Sequence, residues 1–184
     1  MDKSIEKANS ITTKMSTTID DFRNFYVPNK SKELFILDEA IERTISLIDS
    51  TYKNYEIELI KNNQCKDIRI FGYEGEFSQV ILNILTNAKD ALIENCVENK
   101  KVIIDVSQEN NFINISIKDN AKGISLEIID IICEPYFSTK EEGKGSGIGL
   151  YMSKTIIENN MDGKIVVNNI ENGVEFLIKI KIIN

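Results

Sequence analysis

Four of the chain's nine glycines stand at every second position from Gly143 to Gly149, and the run leads straight into an apolar helical pattern reaching about Asn159. Glycine leaves the backbone free to approach a ligand closely. The run therefore predicts an open stretch of backbone that opens a helix, with several N–H groups presented together beside the helix N-terminus. That is how an anionic phosphate is held without many side-chain charges. Lys140 and Lys144 would add mobile cations. The dinucleotide fingerprint needs Gly-x-Gly-x-x-Gly directly after a strand, and the P-loop closes on Gly-Lys followed by Ser or Thr; neither spacing occurs here. The alternative is a flexible surface loop, but this run ends in a well-patterned helix rather than a linker.

A second segment carries polar groups where apolar ones dominate. Phe77 through Cys96 reads as a long helix with Val80, Ile81, Ile84, Leu85, Ala88 and Leu92 at helical spacing. Asn83, Asn87 and Asp90 fall at i, i+4 and i+7, on one stripe of it. The stripe faces solvent, or its members need partners. An amide oxygen such as that of Asn87 is a hard ligand suited to Mg²⁺, which keeps several waters and is shared with substrate phosphates. A third segment, Asp119-Asn120-Ala121-Lys122-Gly123-Ile124, follows a strand. It is an ordinary strand-ending turn, or its carboxylate accepts a hydrogen bond from an exocyclic amine such as adenine N6 while small residues let a flat ring approach.

Around these segments the chain alternates helices and strands without a regular βαβ rhythm, which predicts an α+β two-layer sandwich. From Ser4 to Tyr26 there is no Gly or Pro, and Ala8, Ile11, Met15, Thr18, Phe22 and Phe25 alternate by three and four. That helix calls for partner helices, or for its own domain, until Pro28 stops it. Residues 1–30 are thus expected as a separate helix and 31–184 as the main domain. Within the latter, Glu33–Leu37 reads as a strand, Asp38 as the cap of a helix bearing Ala40, Ile41, Ile45 and Ile48, and Tyr55, Ile57 and Leu59 as a strand. Ile68–Phe71 ends at Gly72. Two hairpins follow, Val102–Val106 with Phe112–Ile117 and Ile165–Val167 with Val174–Ile180.

Composition excludes several classes. Twenty-nine acidic against 22 basic residues leave a net charge of −7 with no basic block, which argues against nucleic acid. Uninterrupted apolar runs stay short, Phe35-Ile36-Leu37 and Ile165-Val166-Val167 among them, so no membrane contact and no secretory leader is expected of these residues. Cys65, Cys96 and Cys133 are too far apart for a zinc pattern and read as buried thiols of a reducing cytosol. There is no histidine, so no imidazole acid–base chemistry occurs within these residues.

The three segments together, in this order, resemble the ATP-binding domain of sensor histidine kinases and the wider superfamily that includes gyrase B, Hsp90 and MutL. Asn83–Ala91 is similar to the N box, Asp119–Gly123 to the first glycine box, Pro135–Phe137 to the F box and Gly143–Leu150 to the second glycine box. The helix before Pro28 is similar to the second helix of the family's dimerisation and phosphotransfer hairpin. The resemblance implies Asn87 as Mg²⁺ ligand, Asp119 as adenine reader and Asn83 as a residue at the catalytic position. It implies contacts to ATP or ADP from Ala91, Ala121, Gly123, Ile124, Phe137, Thr139 and Lys140, and from Gly145, Ser146, Gly147, Ile148, Gly149 and Leu150. Residues 138–146 would form a mobile lid. Ala121 stands where the family usually has Gly, and Asp90 where many kinases carry a phosphate-contacting Lys. Asn83 stands where gyrase-like members have a water-activating Glu, and an amide cannot act as that base. The implied function is transfer of phosphate to a histidine absent from this chain, on a hairpin of the parent kinase and then to a response regulator. A homodimer through the N-terminal helix and a cytoplasmic setting are further expectations. An anti-sigma-type serine kinase of the same fold and a non-catalytic nucleotide-binding module are the alternatives.

Overall fold

The computed structural model describes Thr12 and residues 31–65, 67–140 and 145–182. The helix expected before Pro28, the dimer contact assigned to it, and Gly143 and Lys144 lie outside the described residues. So do residues 141–144 of the expected lid.

Alternation builds the sheet. In β4 (Lys101–Glu109) Val102, Ile104 and Val106 are buried, in β5 (Phe112–Asp119) Ile113, Ile115 and Ile117, and their alternates are mostly half-exposed. One face is thus apolar and must be covered. The same phase runs through Val174, Phe176, Ile178 and Ile180 of β7 (Gly173–Lys181), which pairs antiparallel with β5 and with β6 (Lys164–Ile170). β2 (Glu58–Asn63) joins the far edge parallel to β4, giving a five-stranded sheet in the order β2-β4-β5-β7-β6.

Helices cover that face. α1 (Leu37–Asn54) and α2 (Glu74–Glu94) bury Ala40, Ile41 and Ile48, and Phe77, Val80, Ile81, Ile84, Leu85 and Leu92, against one continuous core. The two helices are also tied by the buried Tyr52 hydroxyl, which donates to the Leu85 carbonyl at 2.9 Å. A two-stranded sheet of β1 (Glu33–Ile36) and β3 (Arg69–Gly72) sits beside them, with the Phe35 ring 5.7 Å from that of Phe77. α3 (Gly149–Thr155) continues as a π-helical turn over Ile156–Asn160. No helix among the described residues is long and apolar enough to cross a membrane. The expected two-layer α+β sandwich is what forms.

Three sequence expectations need correction. Asp38 does not cap α1; the helix begins at Leu37, and the Asp38 carboxylate accepts from Lys61 Nζ at 2.7 Å and Asn63 Nδ2 at 2.6 Å on β2. Tyr55 closes α1 instead of opening a strand, because the chain reverses at Glu56 with φ 54° and β2 starts only at Glu58. The thiols are not buried: Cys96 is exposed, and Cys65 and Cys133 are half-buried.

Two glycines give a contrast that tests this packing. A Cβ on Gly173 would lie 1.8 Å from the Asp119 carbonyl oxygen, whereas one on Gly75, in the first turn of α2, would meet nothing within 4 Å. Gly173→Ala is expected to destabilise the fold by about 1–3 kcal/mol and Gly75→Ala to stabilise it by about 0.5–1 kcal/mol, both read from urea unfolding midpoints.

Candidate functional site

A cleft of about 500 Å³ opens between α2, the ends of β5 and β7, the segments 120–140 and 145–148, and the start of α3. That size suits a drug-sized or nucleotide-sized ligand. Its back wall is the second face of α2. The core side of the helix is apolar, and the other side turns Asn83, Asn87 and Asp90 into the cleft, half-buried. The polar stripe is therefore not a solvated face.

Asp119 closes one end. Because β5 alternates, the residue after Ile117 on the core phase is this carboxylate, and it is only 7% exposed. It keeps a backbone partner, accepting from the Ala121 N–H at 2.9 Å. Burial pushes its pKa above the ordinary aspartate value, while the amides of Ala121 and Val174 pull the other way. The chain then leaves the sheet through Lys122 (φ 73°) and Gly123 (φ 87°). Asn169 of β6 holds the exit: its Oδ1 accepts from the Ile124 N–H and its Nδ2 donates to the Ile124 carbonyl, both at 2.7 Å. Ala121, Gly123 and Ile124 are thereby fixed along the cleft beside Asp119.

The glycine run forms the opposite end. Gly147 has φ 69°, and a Cβ there would come within 2.5 Å of the Tyr136 carbonyl carbon. Only glycine fits such an approach. This contact stacks the run on Tyr136-Phe137 and sets Gly145, Ser146, Gly147, Gly149 and Leu150 along the cleft with Phe137, Thr139 and Lys140. Ile148 departs from expectation. Its side chain is 2% exposed and does not line the cleft, and its N–H donates to Ser146 Oγ at 3.3 Å.

The two polar helix residues expected at the site differ in availability. The amide of Asn83 is engaged within the protein, its oxygen accepting from Gln79 at 2.9 Å and its nitrogen donating to the Gly149 carbonyl at 3.2 Å and Ser153 Oγ at 3.3 Å. It ties α2 to α3. Asn87 lines the cleft with no hydrogen bond among the described residues, so its oxygen is available to a ligand or cation. Ala91 follows one turn on. Sequence reasoning missed Gln79, Thr86, Ile128, Ile132, Val174 and Phe176, which also line the cleft. Extending the polar stripe back one turn from Asn83 reaches Gln79, and pairing the second hairpin against β5 sets Phe176 opposite Ile117.

Comparison with known proteins gives the same outline. Residues 72–183 match the family described as "Histidine kinase-, DNA gyrase B-, and HSP90-like ATPase". The chain is 30% identical over 144 residues to the two-component sensor PprA of Pseudomonas aeruginosa, covering 77% of this chain and 16% of PprA. It is similar to the catalytic domain of the histidine kinase ThkA, with a TM-score of 0.73 at 29% identity over 82% of this chain and 95% of that one. The fold also matches, at 24% identity and a TM-score of 0.75, ThkA solved in complex with the response regulator protein TrrA, across 98% of this chain and 51% of that one.

If Asp119 reads an amine-bearing base, Asp119→Asn loses a charge-assisted hydrogen bond of about 1.5–3 kcal/mol, weakening ATP roughly 10–150-fold. Since protonation removes the charge and the free carboxyl titrates higher than an exposed one, wild-type affinity should fall as the pH drops through that raised value. The variant should be flat across the same range. Titration calorimetry from neutral to mildly acid pH checks both; an unchanged affinity in the variant would remove Asp119 from the site.

Proposed function

Because the chain belongs to the histidine kinase-, DNA gyrase B- and HSP90-like ATPase family, we propose that its cleft binds Mg²⁺-ATP and aims the γ-phosphate at a histidine outside these residues, as the catalytic portion of a sensor histidine kinase. The observation that carries this reading is the alignment on one cleft of a buried carboxylate, a free amide oxygen and a glycine-rich backbone. Asp119 accepts from the adenine amine while Ala121 and Gly123 leave room for the ring. The backbone of residues 145–149, with Lys140 beside it, receives the phosphates.

Asn87 suits the cation. Its oxygen is a hard donor facing the cleft, and no group of three or more His, Cys, Asp or Glu among the described residues could hold a metal. A Mg²⁺ ion held by Asn87 would need phosphate oxygens and water to complete its ligands, and would supply neutralisation of charge on the transferring group. The chain itself contributes orientation. It puts no general base at position 83, where the amide is already bonded on both sides, so water is not activated there.

The chain contains no histidine, so the acceptor imidazole comes from another segment or another chain. A phosphohistidine formed on such a hairpin would pass its phosphoryl group to a response regulator, the class of partner seated on ThkA in its solved complex. Sensor kinases of this type hold the two parts together, and their separation leaves transfer slow because the effective concentration of the tether is gone.

Incubation with γ-labelled ATP tests the reading. The chain alone is expected to bind ATP, to remain unlabelled and to release phosphate only at a trace rate, and added histidine-bearing hairpin is expected to become labelled slowly. Acid-stable label on this chain would mean serine or threonine chemistry, and fast phosphate release would mean hydrolysis. For the cation, Asn87→Ala should abolish the gain in ATP affinity that Mg²⁺ gives the wild type, as read by titration with and without the metal.

A further inference from the structure

Asp90 and Lys140 lie 50 positions apart and meet on the wall of the cleft, where the Lys140 ammonium donates to Asp90 Oδ2 at 2.5 Å. The other oxygen of Asp90 is 2.8 Å from Lys89 Nζ, and Lys89 also has the Tyr55 ring, 6.0 Å from its ammonium. The Lys140 ammonium has no second partner among the described residues. Its position is set by the glycine run, because a Cβ on Gly145 would come 3.2 Å from Lys140 Cδ, so the lysine stem lies against the backbone that faces the cleft. Asp90 itself stands one turn beyond Asn87 on α2. An ammonium beside the glycine backbone is therefore already held by a carboxylate of the opposite wall.

We propose that Asp90 is a positioning residue that sets how strongly the cleft takes nucleotide phosphates, by occupying the Lys140 ammonium in the place a phosphate oxygen would take. The inference rests on the nucleotide reading of the cleft. One cation and two candidate anions make a competition: an entering polyphosphate must draw Lys140 away from Asp90 or share it, and a partnered ammonium yields less net attraction than a free one. Burial alone would raise the Asp90 pKa, but the ammoniums of Lys140 and Lys89 hold it below the ordinary aspartate value, so the competing charge is fully present at neutral pH. Adenosine, which has no phosphate, makes no demand on Lys140. The pair thus tunes phosphate-dependent affinity without touching the base end.

The test is titration of ATP and of adenosine into wild type, Asp90→Asn, Lys140→Met and the double variant, with Asp90→Ser as a second carboxylate-free form. Asp90→Asn is expected to tighten ATP about twofold to fivefold and leave adenosine unchanged, which also reports that the cleft is folded. In the Lys140→Met background the same change should have less than a third of that effect. Equal tightening in both backgrounds would overturn the inference in favour of a general field. ATP affinity at or below wild type in both Asp90 variants would overturn it too, and a loss seen only with Mg²⁺ would put Asp90 on the cation instead. Absence of ATP binding by the wild type would overturn the nucleotide reading, and this inference with it; the other outcomes leave that reading standing.

Discussion

The structure turns on a charge placed where an apolar residue belongs. β5 presents Ile113, Ile115 and Ile117 to the core, and the next residue in that phase is Asp119. A carboxylate there is costly unless it is hydrogen-bonded. The chain meets the cost locally: it turns at once, so that the Ala121 N–H comes back to the carboxylate. It also leaves open space in front of the carboxylate, and the cleft is that space. Gly173 of the neighbouring strand must lack a side chain because the Asp119 carbonyl occupies the position. Core packing and ligand reading are thus one constraint at this point.

Helix α2 carries the second half of the design. One face packs Val80, Ile81, Ile84 and Leu85 into the core, and the other lines the cleft with Asn83, Asn87 and Asp90. The three do different work. Asn83 is spent on holding α3, Asn87 has no hydrogen bond among the described residues, and Asp90 is engaged with lysines on both oxygens. Equal spacing along a helix says where such residues point and nothing about which of them has a partner already.

What was legible in the sequence was whatever rests on local pattern. The alternating strands, the hairpins, α2 and the glycine run all stand close to where periodicity puts them; Asn87 shows on a polar stripe of an otherwise apolar helix, and Asp119 as a polar residue in an apolar phase. What was illegible depends on distant partners. Asp38 reads as a cap, and only the folded chain brings Lys61 and Asn63 to it as stronger donors. Ile148 reads as one more residue of an open glycine loop, whereas its side chain is drawn into the interior and its N–H is taken by Ser146. Val174 and Phe176 reach the cleft through a strand pairing more than fifty residues downstream of Asp119.

The bond from Asn83 to the Gly149 carbonyl and Ser153 makes α2 and α3 one mechanical part. The vice this forms has a fixed jaw, bearing Asn87 and the start of α3 and anchored by the core, and a second jaw made of residues 120–140, which rest on turns rather than on strand or helix. Changes in the second jaw alter how a ligand gets in and out while the geometry at the fixed jaw persists. Evolution can thus retune residence time in such a cleft without disturbing the alignment on which chemistry depends.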